Sequence, residues 1–248
     1  RDLLRALDPA EFAADCGLTL DPWQSGLLYS TSRKVLLLCS RQSGKSTTTA
    51  LLALWIAIHE PGLVLLFSPS QRQSSELFRK VLDHLRELRD PPEIAVQSAL
   101  RLELVNGSRI VSLPANEDTV RGFSGARAVI IDEAARVPDS LMAAVRPILA
   151  TSGGRLISLS TPAGKRGWFY EAWEHGQGWE RTRITADECP RITPEFLADE
   201  LRELGPLRYA EEYECRFVDD ESAAFSMDLI EAAFRNDHQP LWPLRVAA

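Results

Sequence analysis

At 248 residues, with 45% apolar residues, the chain is long enough to bury one large α/β core and a small subdomain, but not two full domains. A net charge of −7 excludes a surface that is a nucleic-acid platform throughout, so any DNA contact has to be a local basic stripe. The scattered cysteines Cys16, Cys39, Cys189 and Cys215 form no Cys-x-x-Cys pair and have no nearby His cluster, which argues against a zinc site or a disulfide framework.

The chain starts at Arg1, as expected of a processed or excised fragment. It has no signal-peptide core and no apolar stretch of membrane length, so a soluble intracellular protein is expected. Residues 1–31 read as a helical lead-in. Asp8-Pro9 opens one helix, Gly17 closes it, and Asp21-Pro22-Trp23-Gln24 starts another. Gln24 has two readings: an amide that makes a two-point hydrogen bond to an adenine edge, or a helix-capping residue beside a core tryptophan.

The most informative stretch follows. Val35-Leu36-Leu37-Leu38-Cys39 reads as a buried strand, Ser40-Arg41-Gln42-Ser43-Gly44 as a tight loop, and Lys45-Ser46-Thr47 as the start of a helix. This is the pattern of a phosphate cradle: loop N–H groups and a helix N-terminus face the anion, Lys45 reaches β- and γ-phosphates, and the Ser46 hydroxyl is placed for Mg²⁺. One position departs from the pattern, because Cys39 stands where a P-loop has glycine. The chemistry survives if Gly44 supplies the close backbone approach and Cys39 ends the strand.

An apolar helix from Thr47 to His59, stopped by Pro61-Gly62, leads to a second buried strand, Leu63 to Phe67. Strand, helix and strand at this spacing make a βαβ unit and a parallel sheet. Gln71 to Asp90 is predicted as a helix of mixed charge. Its arginines, Arg86 and Arg89 among them, are either a solvated face with i,i+4 pairs or a DNA-contacting stripe, with Arg101 as a further candidate. Leu100 to Leu104 and Arg109 to Leu113 flank Asn106-Gly107 as a strand pair.

Thr119 to Ala126 is a glycine-interrupted loop holding Arg121. It runs into Ala128-Val129-Ile130-Ile131-Asp132-Glu133, a central parallel strand ending in two carboxylates. Strand alternation sends the two apart: Asp132 toward the Mg²⁺ shell with Ser46, and Glu133 toward the attacking water. Arg155 to Leu159 is one more strand, and its end, Ser160-Thr161-Pro162, lies where sites form in such sheets. From about Trp179 the chain turns to helical segments with acidic turns. The tail, with Pro240, Trp242 and Pro243, reads as a linker.

With these parts in order, the chain resembles the ATPase domain of the large terminase subunit, the DNA-packaging motor of tailed bacteriophages. The resemblance rests on the loop Ser40 to Ser46, on Val120-Arg121-Gly122, on Ile131-Asp132-Glu133-Ala134, on Ser160-Thr161-Pro162, and on Glu211-Glu212-Tyr213-Glu214-Cys215-Arg216-Phe217, which is similar to that family's lid. It implies an α/β P-loop NTPase of the ASCE/RecA-like kind, with a mainly parallel sheet flanked by helices. The expected units are an ATPase core over 1–178, a mostly helical lid over 179–235 and a linker over 236–248, toward a ribonuclease-H-type nuclease carried by full-length members.

The resemblance also implies roles. ATP is held by Gln24 as adenine reader and by Ser40, Arg41, Gln42, Ser43, Gly44, Lys45, Ser46 and Thr47; Ser46 and Asp132 hold Mg²⁺; and Glu133 is catalytic with Lys45. Arg41 senses the γ-phosphate in cis, Arg121 is the trans-acting arginine finger with Arg127 as runner-up, and Ser160 and Thr161 couple nucleotide state to the lid. The implied partners are double-stranded DNA, a homo-oligomeric ring expected to be a pentamer, the portal protein and the small terminase subunit, with no membrane. The implied place is the host cytoplasm, docked transiently on a procapsid. Two other readings share some of these residues. A superfamily 2 helicase-like translocase needs a second RecA-like domain, and a non-hydrolytic docking module has no need of an intact Lys45, Asp132 and Glu133.

Overall fold

The computed structural model describes residues 6–120, 122–219 and 233. Among the described residues eight strands form one sheet: β1 (Lys34–Cys39), β2 (Leu63–Ser68), β3 (Ile94–Gln97), β4 (Arg101–Leu104), β5 (Arg109–Pro114), β6 (Ala126–Asp132), β7 (Arg155–Ser160) and β8 (Glu180–Ile184). Their order is β3-β4-β5-β2-β6-β7-β1-β8. In that order the six strands from β5 to β8 run parallel, and the antiparallel pairs, β3 with β4 and β4 with β5, lie at one edge.

Among the described residues the α-helices are α1 (Pro9–Asp15), α2 (Pro22–Tyr29), α3 (Lys45–His59), α4 (Gln71–Glu87), α5 (Glu117–Val120), α6 (Asp139–Ala150), α7 (Gly167–Glu174) and α8 (Pro194–Glu212). The parallel strands are apolar at almost every position because both faces are covered. On β1, Val35 and Leu37 pack into a core with α3 and α4, while Leu36 and Leu38 pack on the other face with α6. The same alternation on β6 sends Ala128 and Ile130 to the α3 face and Val129 and Ile131 to the α6 face. Asp132, next but one after Ile130, therefore emerges on the α3 side, where the helix following the loop begins.

Three features of the sheet were not among the sequence expectations. The strands joined through α3 are parallel but not neighbours, since β7 and β6 lie between β1 and β2. Glu180–Ile184, expected at the start of the lid, is instead an edge strand of the core sheet, hydrogen-bonded along β1. Its outward positions are charged, so no apolar run announced it. The edge strand β3 has no counterpart among the sequence expectations either, and its residues are exposed throughout. The basic helix is present as α4, capped by Ser70, whose hydroxyl accepts from the Gln73 N–H at 3.3 Å. The expected linker over 236–248 lies outside the described residues, as does the lid beyond residue 219 apart from residue 233.

Candidate nucleotide site

The site lies at the carboxyl ends of β1, β6 and β7. Cys39 is fully buried as the last residue of β1 and its partner in the ladder is Ile184, so the departure from the glycine pattern falls in the strand rather than in the loop. The loop bends instead at Gln42 (φ 60°) and Gly44 (φ 94°), both in the left-handed region. A Cβ on Gly44 would stand 3.0 Å from Gln24 Nε2, so this residue has both a conformational and a steric reason to be glycine. Loop closure is local: the Ser43 hydroxyl donates to the Ser40 carbonyl at 2.9 Å, and Lys45 Nζ donates to the same oxygen at 3.0 Å.

The two carboxylates have different partners. Asp132 is buried and accepts from the Ser46 hydroxyl at 2.8 Å. Burial, and then the charge of Glu133, raise its carboxyl to about 6, while the Ser46 hydroxyl and Lys45 pull it back. A buried, incompletely compensated carboxylate beside a hydroxyl is a hard-oxygen donor pair that suits Mg²⁺. Among the described residues no three His, Cys, Asp or Glu side chains cluster as a metal cage. Ser46 and Asp132 are the described residues that would hold a metal here.

Glu133 has left the strand in a left-handed conformation (φ 52°), a strained choice of the kind found at functional sites. Its carboxylate sits 3.9 Å from Lys45 Nζ and accepts from Arg136 at 3.0 Å. Arg136 also donates to the Thr161 hydroxyl at 2.7 Å, and its other terminal nitrogen lies 3.7 Å from Glu212. Ser160 accepts from the Ala135 N–H at 3.1 Å. The pair Ser160 and Thr161 is thus brought against the acidic turn by β7, which separates β1 from β6.

Arg41 does not lean over the loop. Its side chain is exposed, its guanidinium lies 4.0 Å from Glu212 at the end of α8, and its N–H donates to the Glu212 carbonyl at 2.8 Å. Gln24 satisfies the capping reading: its Oε1 accepts from the Asp21 N–H at 2.8 Å, which fixes the amide so that Nε2 donates to the Thr48 hydroxyl at 2.9 Å. Gln24 also lines a recess of about 210 Å³ with Leu20, Thr47, Thr48 and Arg191.

The basic candidates are not gathered at the site. Arg86 pairs with Asp83 at 2.9 Å, Arg89 with Asp15 at 3.2 Å, and Arg101 with Glu103 at 3.0 Å. Two other α4 side chains turn inward: Lys80 donates to the Thr47 hydroxyl at 3.3 Å, and His84 meets the Thr47 carbonyl at 3.3 Å. Arg127 bonds Glu60 at 2.7 Å, at the opposite end of β6 from Asp132. Arg121 lies outside the described residues. Sequence reading missed Arg136 and Arg191, and it noted Glu212 only within the lid-like pattern; of the three, Arg136, three residues after Glu133 on the same turn, carried a local signal.

Fold and site together define a P-loop NTPase of the RecA-like class. The chain belongs to the family of terminase large subunits, T4-like virus type, N-terminal region, whose family profile matches residues 36–232. Among solved structures it is similar to the large terminase ATPase domain of Thermus phage P74-26, with a TM-score of 0.73 and 25% identity over 84% of this chain and 98% of that one. It is also similar to the large terminase of a thermophilic bacteriophage in complex with ADP (TM-score 0.64, 14% identity, 81% of this chain, 54% of that one). The large terminase of bacteriophage HK97 matches with a TM-score of 0.64 and 16% identity, over 81% of this chain and 51% of that one. The chain thus spans about half the length of the last two proteins. No curated protein sequence matches it.

Proposed function

We propose that this chain is the ATP-hydrolysing motor domain that drives double-stranded viral DNA into a procapsid. The observation that carries the reading is the pairing of two loop-helix residues with two strand-end acids: Ser46 with Asp132 at 2.8 Å, and Lys45 with Glu133 at 3.9 Å. The thermophilic-phage terminase crystallised with ADP and with ATP-gamma-S supports a nucleotide ligand.

The loop N–H groups and the N-terminus of α3 bind the phosphates. Lys45 has three N–H donors, so it can keep the Ser40 carbonyl and still reach the β- and γ-oxygens. Ser46 and Asp132 are the residues that would hold Mg²⁺, which when bound neutralises charge on the phosphate oxygens. Glu133 orients water and takes its proton as the new O–P bond forms at the γ-phosphorus and the bond to ADP breaks. Arg136 holds Glu133 to Thr161 and to Glu212, so that a change at the end of α8 is felt at the catalytic carboxylate.

In this reading Arg121 acts on a neighbouring subunit's nucleotide in a pentameric ring, docked on the portal in the host cytoplasm with the small terminase subunit. A helicase-like reading needs a second RecA-like domain, and membership of the terminase family argues against it.

The test is phosphate release from Mg·ATP with and without double-stranded DNA. The motor reading expects metal-dependent turnover that DNA accelerates. Tight nucleotide binding with no turnover under either condition would instead make the chain a docking module.

A further inference from the structure

Arg191 has no part in the chemistry proposed for the site, although it touches the phosphate loop. It lies between β8 and α8, yet its guanidinium forks onto Asp21, at 2.9 Å from Nη1 to Oδ1 and 2.6 Å from Nη2 to Oδ2, across 170 residues of sequence. The same Nη2 donates to the carbonyl of Ser43 at 3.1 Å. Asp21 is buried, and its own N–H is held by Gln24, whose amide continues to Thr48. The Thr48 hydroxyl then donates to the carbonyl of Gly44 at 3.1 Å. Two consecutive loop carbonyls, Ser43 and Gly44, are therefore held by one network that begins at Arg191 and ends on α3.

The physical consequence lies in the peptide planes. In a planar trans peptide the C=O and the following N–H point in opposite directions, so holding one orients the other. Donation to the Ser43 carbonyl turns the Gly44 N–H away from Arg191; at the next peptide the Thr48 hydroxyl adds to the helical bond from the Thr48 N–H at 3.0 Å, and together they turn the Lys45 N–H away from Thr48. A Cβ on Gly44 would meet Gln24 at 3.0 Å and Arg191 at 3.5 Å, so the network is packed against this peptide as well as bonded to it. Bidentate pairing of a guanidinium with a buried carboxylate is the geometry in which such a contact is strong and directional.

We propose that Arg191, braced by Asp21, is a positioning residue that pre-orients the phosphate-loop N–H groups and so sets the affinity of the loop for the polyphosphate of a nucleotide. The proposal rests on the nucleotide-binding reading of the site. It makes loop readiness depend on the segment joining the last core strand to α8. Release of Arg191 weakens the cradle without touching Lys45, Ser46, Asp132 or Glu133.

The test is equilibrium titration of the full chain with a fluorescent ADP analogue, reading dissociation constant and stoichiometry for the wild type, Arg191→Ala, Arg191→Lys, Asp21→Asn, and Asp21→Asn with Arg191→Ala. The expected result is a loss of about tenfold in affinity for Arg191→Ala at unchanged stoichiometry. Partial recovery is expected in Arg191→Lys, whose ammonium lacks the planar fork. The double variant should be no weaker than Arg191→Ala alone, because both changes cut the same link. An Arg191→Ala affinity within twofold of wild type would overturn the proposal. So would a lowered stoichiometry at unchanged affinity in both Arg191 variants, which marks a folding defect. If the wild type does not bind, the nucleotide reading itself fails, and that outcome is distinct from wild-type binding with indifferent variants.

Discussion

The Ser46 hydroxyl donates to Asp132 Oδ2 at 2.8 Å, joining the first turn of α3 to the end of β6 across 86 residues of sequence. The contact holds a buried carboxylate raised to about 6 by burial and by the neighbouring charge of Glu133. Keeping Asp132 ionised costs folding stability that a cation at this position would offset.

That cost gives a pH prediction with a definite sign. The folded value of about 6 lies above the ordinary 3.8, so the folded chain binds the proton more tightly; the stabilising contribution is full below pH 3.8 and is lost as pH rises through 6. Asp132→Asn keeps the hydrogen-bonding shape without the charge. It should raise Tm by roughly 2–4 °C at pH 8, equivalent to about 1 kcal/mol, and leave Tm near wild type at the acid end. Thermal unfolding scans across this range check it, and equal Tm differences at both ends would remove Asp132 as the cause.

Lys45 and Glu133 stand 3.9 Å apart, but their substitutions should separate. Lys45→Ala loses a ground-state contact and should weaken nucleotide binding by about tenfold or more, whereas Glu133→Gln should bind normally and lose at least about 10²-fold in turnover. Nucleotide titration beside a phosphate-release assay reads the two effects. Equal losses of binding in both variants would reject these assignments.

Gly44 combines a φ of 94° with a 3.0 Å approach to Gln24, whereas Gly17, with a φ of 71°, has open space around it. Both Gly→Ala substitutions should cost about 1–2 kcal/mol from backbone strain, but only Gly44→Ala should also weaken nucleotide binding. Urea unfolding together with titration distinguishes them.

Hydrolysis should require a neighbour. A trans-acting arginine can contribute about 10³-fold or more, so specific activity should rise with protein concentration. A mixture of Arg121→Ala and Glu133→Ala should partly recover turnover, since one supplies an intact pocket and the other an intact finger. Concentration-independent turnover with no recovery would place Arg121 outside trans catalysis. Arg127, the next candidate, already bonds Glu60 at 2.7 Å.

For DNA, Arg86 and Arg89 are 66% and 61% exposed in their side chains but are each paired with a carboxylate. If they meet phosphates, substituting both by alanine reduces the log–log salt slope of DNA binding by about two. An unchanged affinity and slope would identify α4 as a solvated face.

Much of the site was legible because its chemistry is local in sequence. A strand, a loop and a helix start lie in one uninterrupted stretch, Val35 to Thr47, and the acids stand together at a strand end, so periodicity and side-chain type suffice to read a strand-loop-helix turn carrying Lys45 and Ser46 and a pair of acids at a strand end. Alternation along β6 accounts for the face on which Asp132 emerges, whereas Glu133 is placed by a left-handed turn beyond the strand end, which alternation does not describe. The remainder is made by contacts between distant segments, which no periodicity encodes. Tertiary structure alone decided that β7 stands between β1 and β6 and brings Thr161 to Arg136, that charged Glu180–Ile184 joins the sheet, and that Arg191 reaches Asp21. Each depends on strand order and closure of long loops: the sequence specifies which groups are available, and packing of the two sheet faces determines which of them meet.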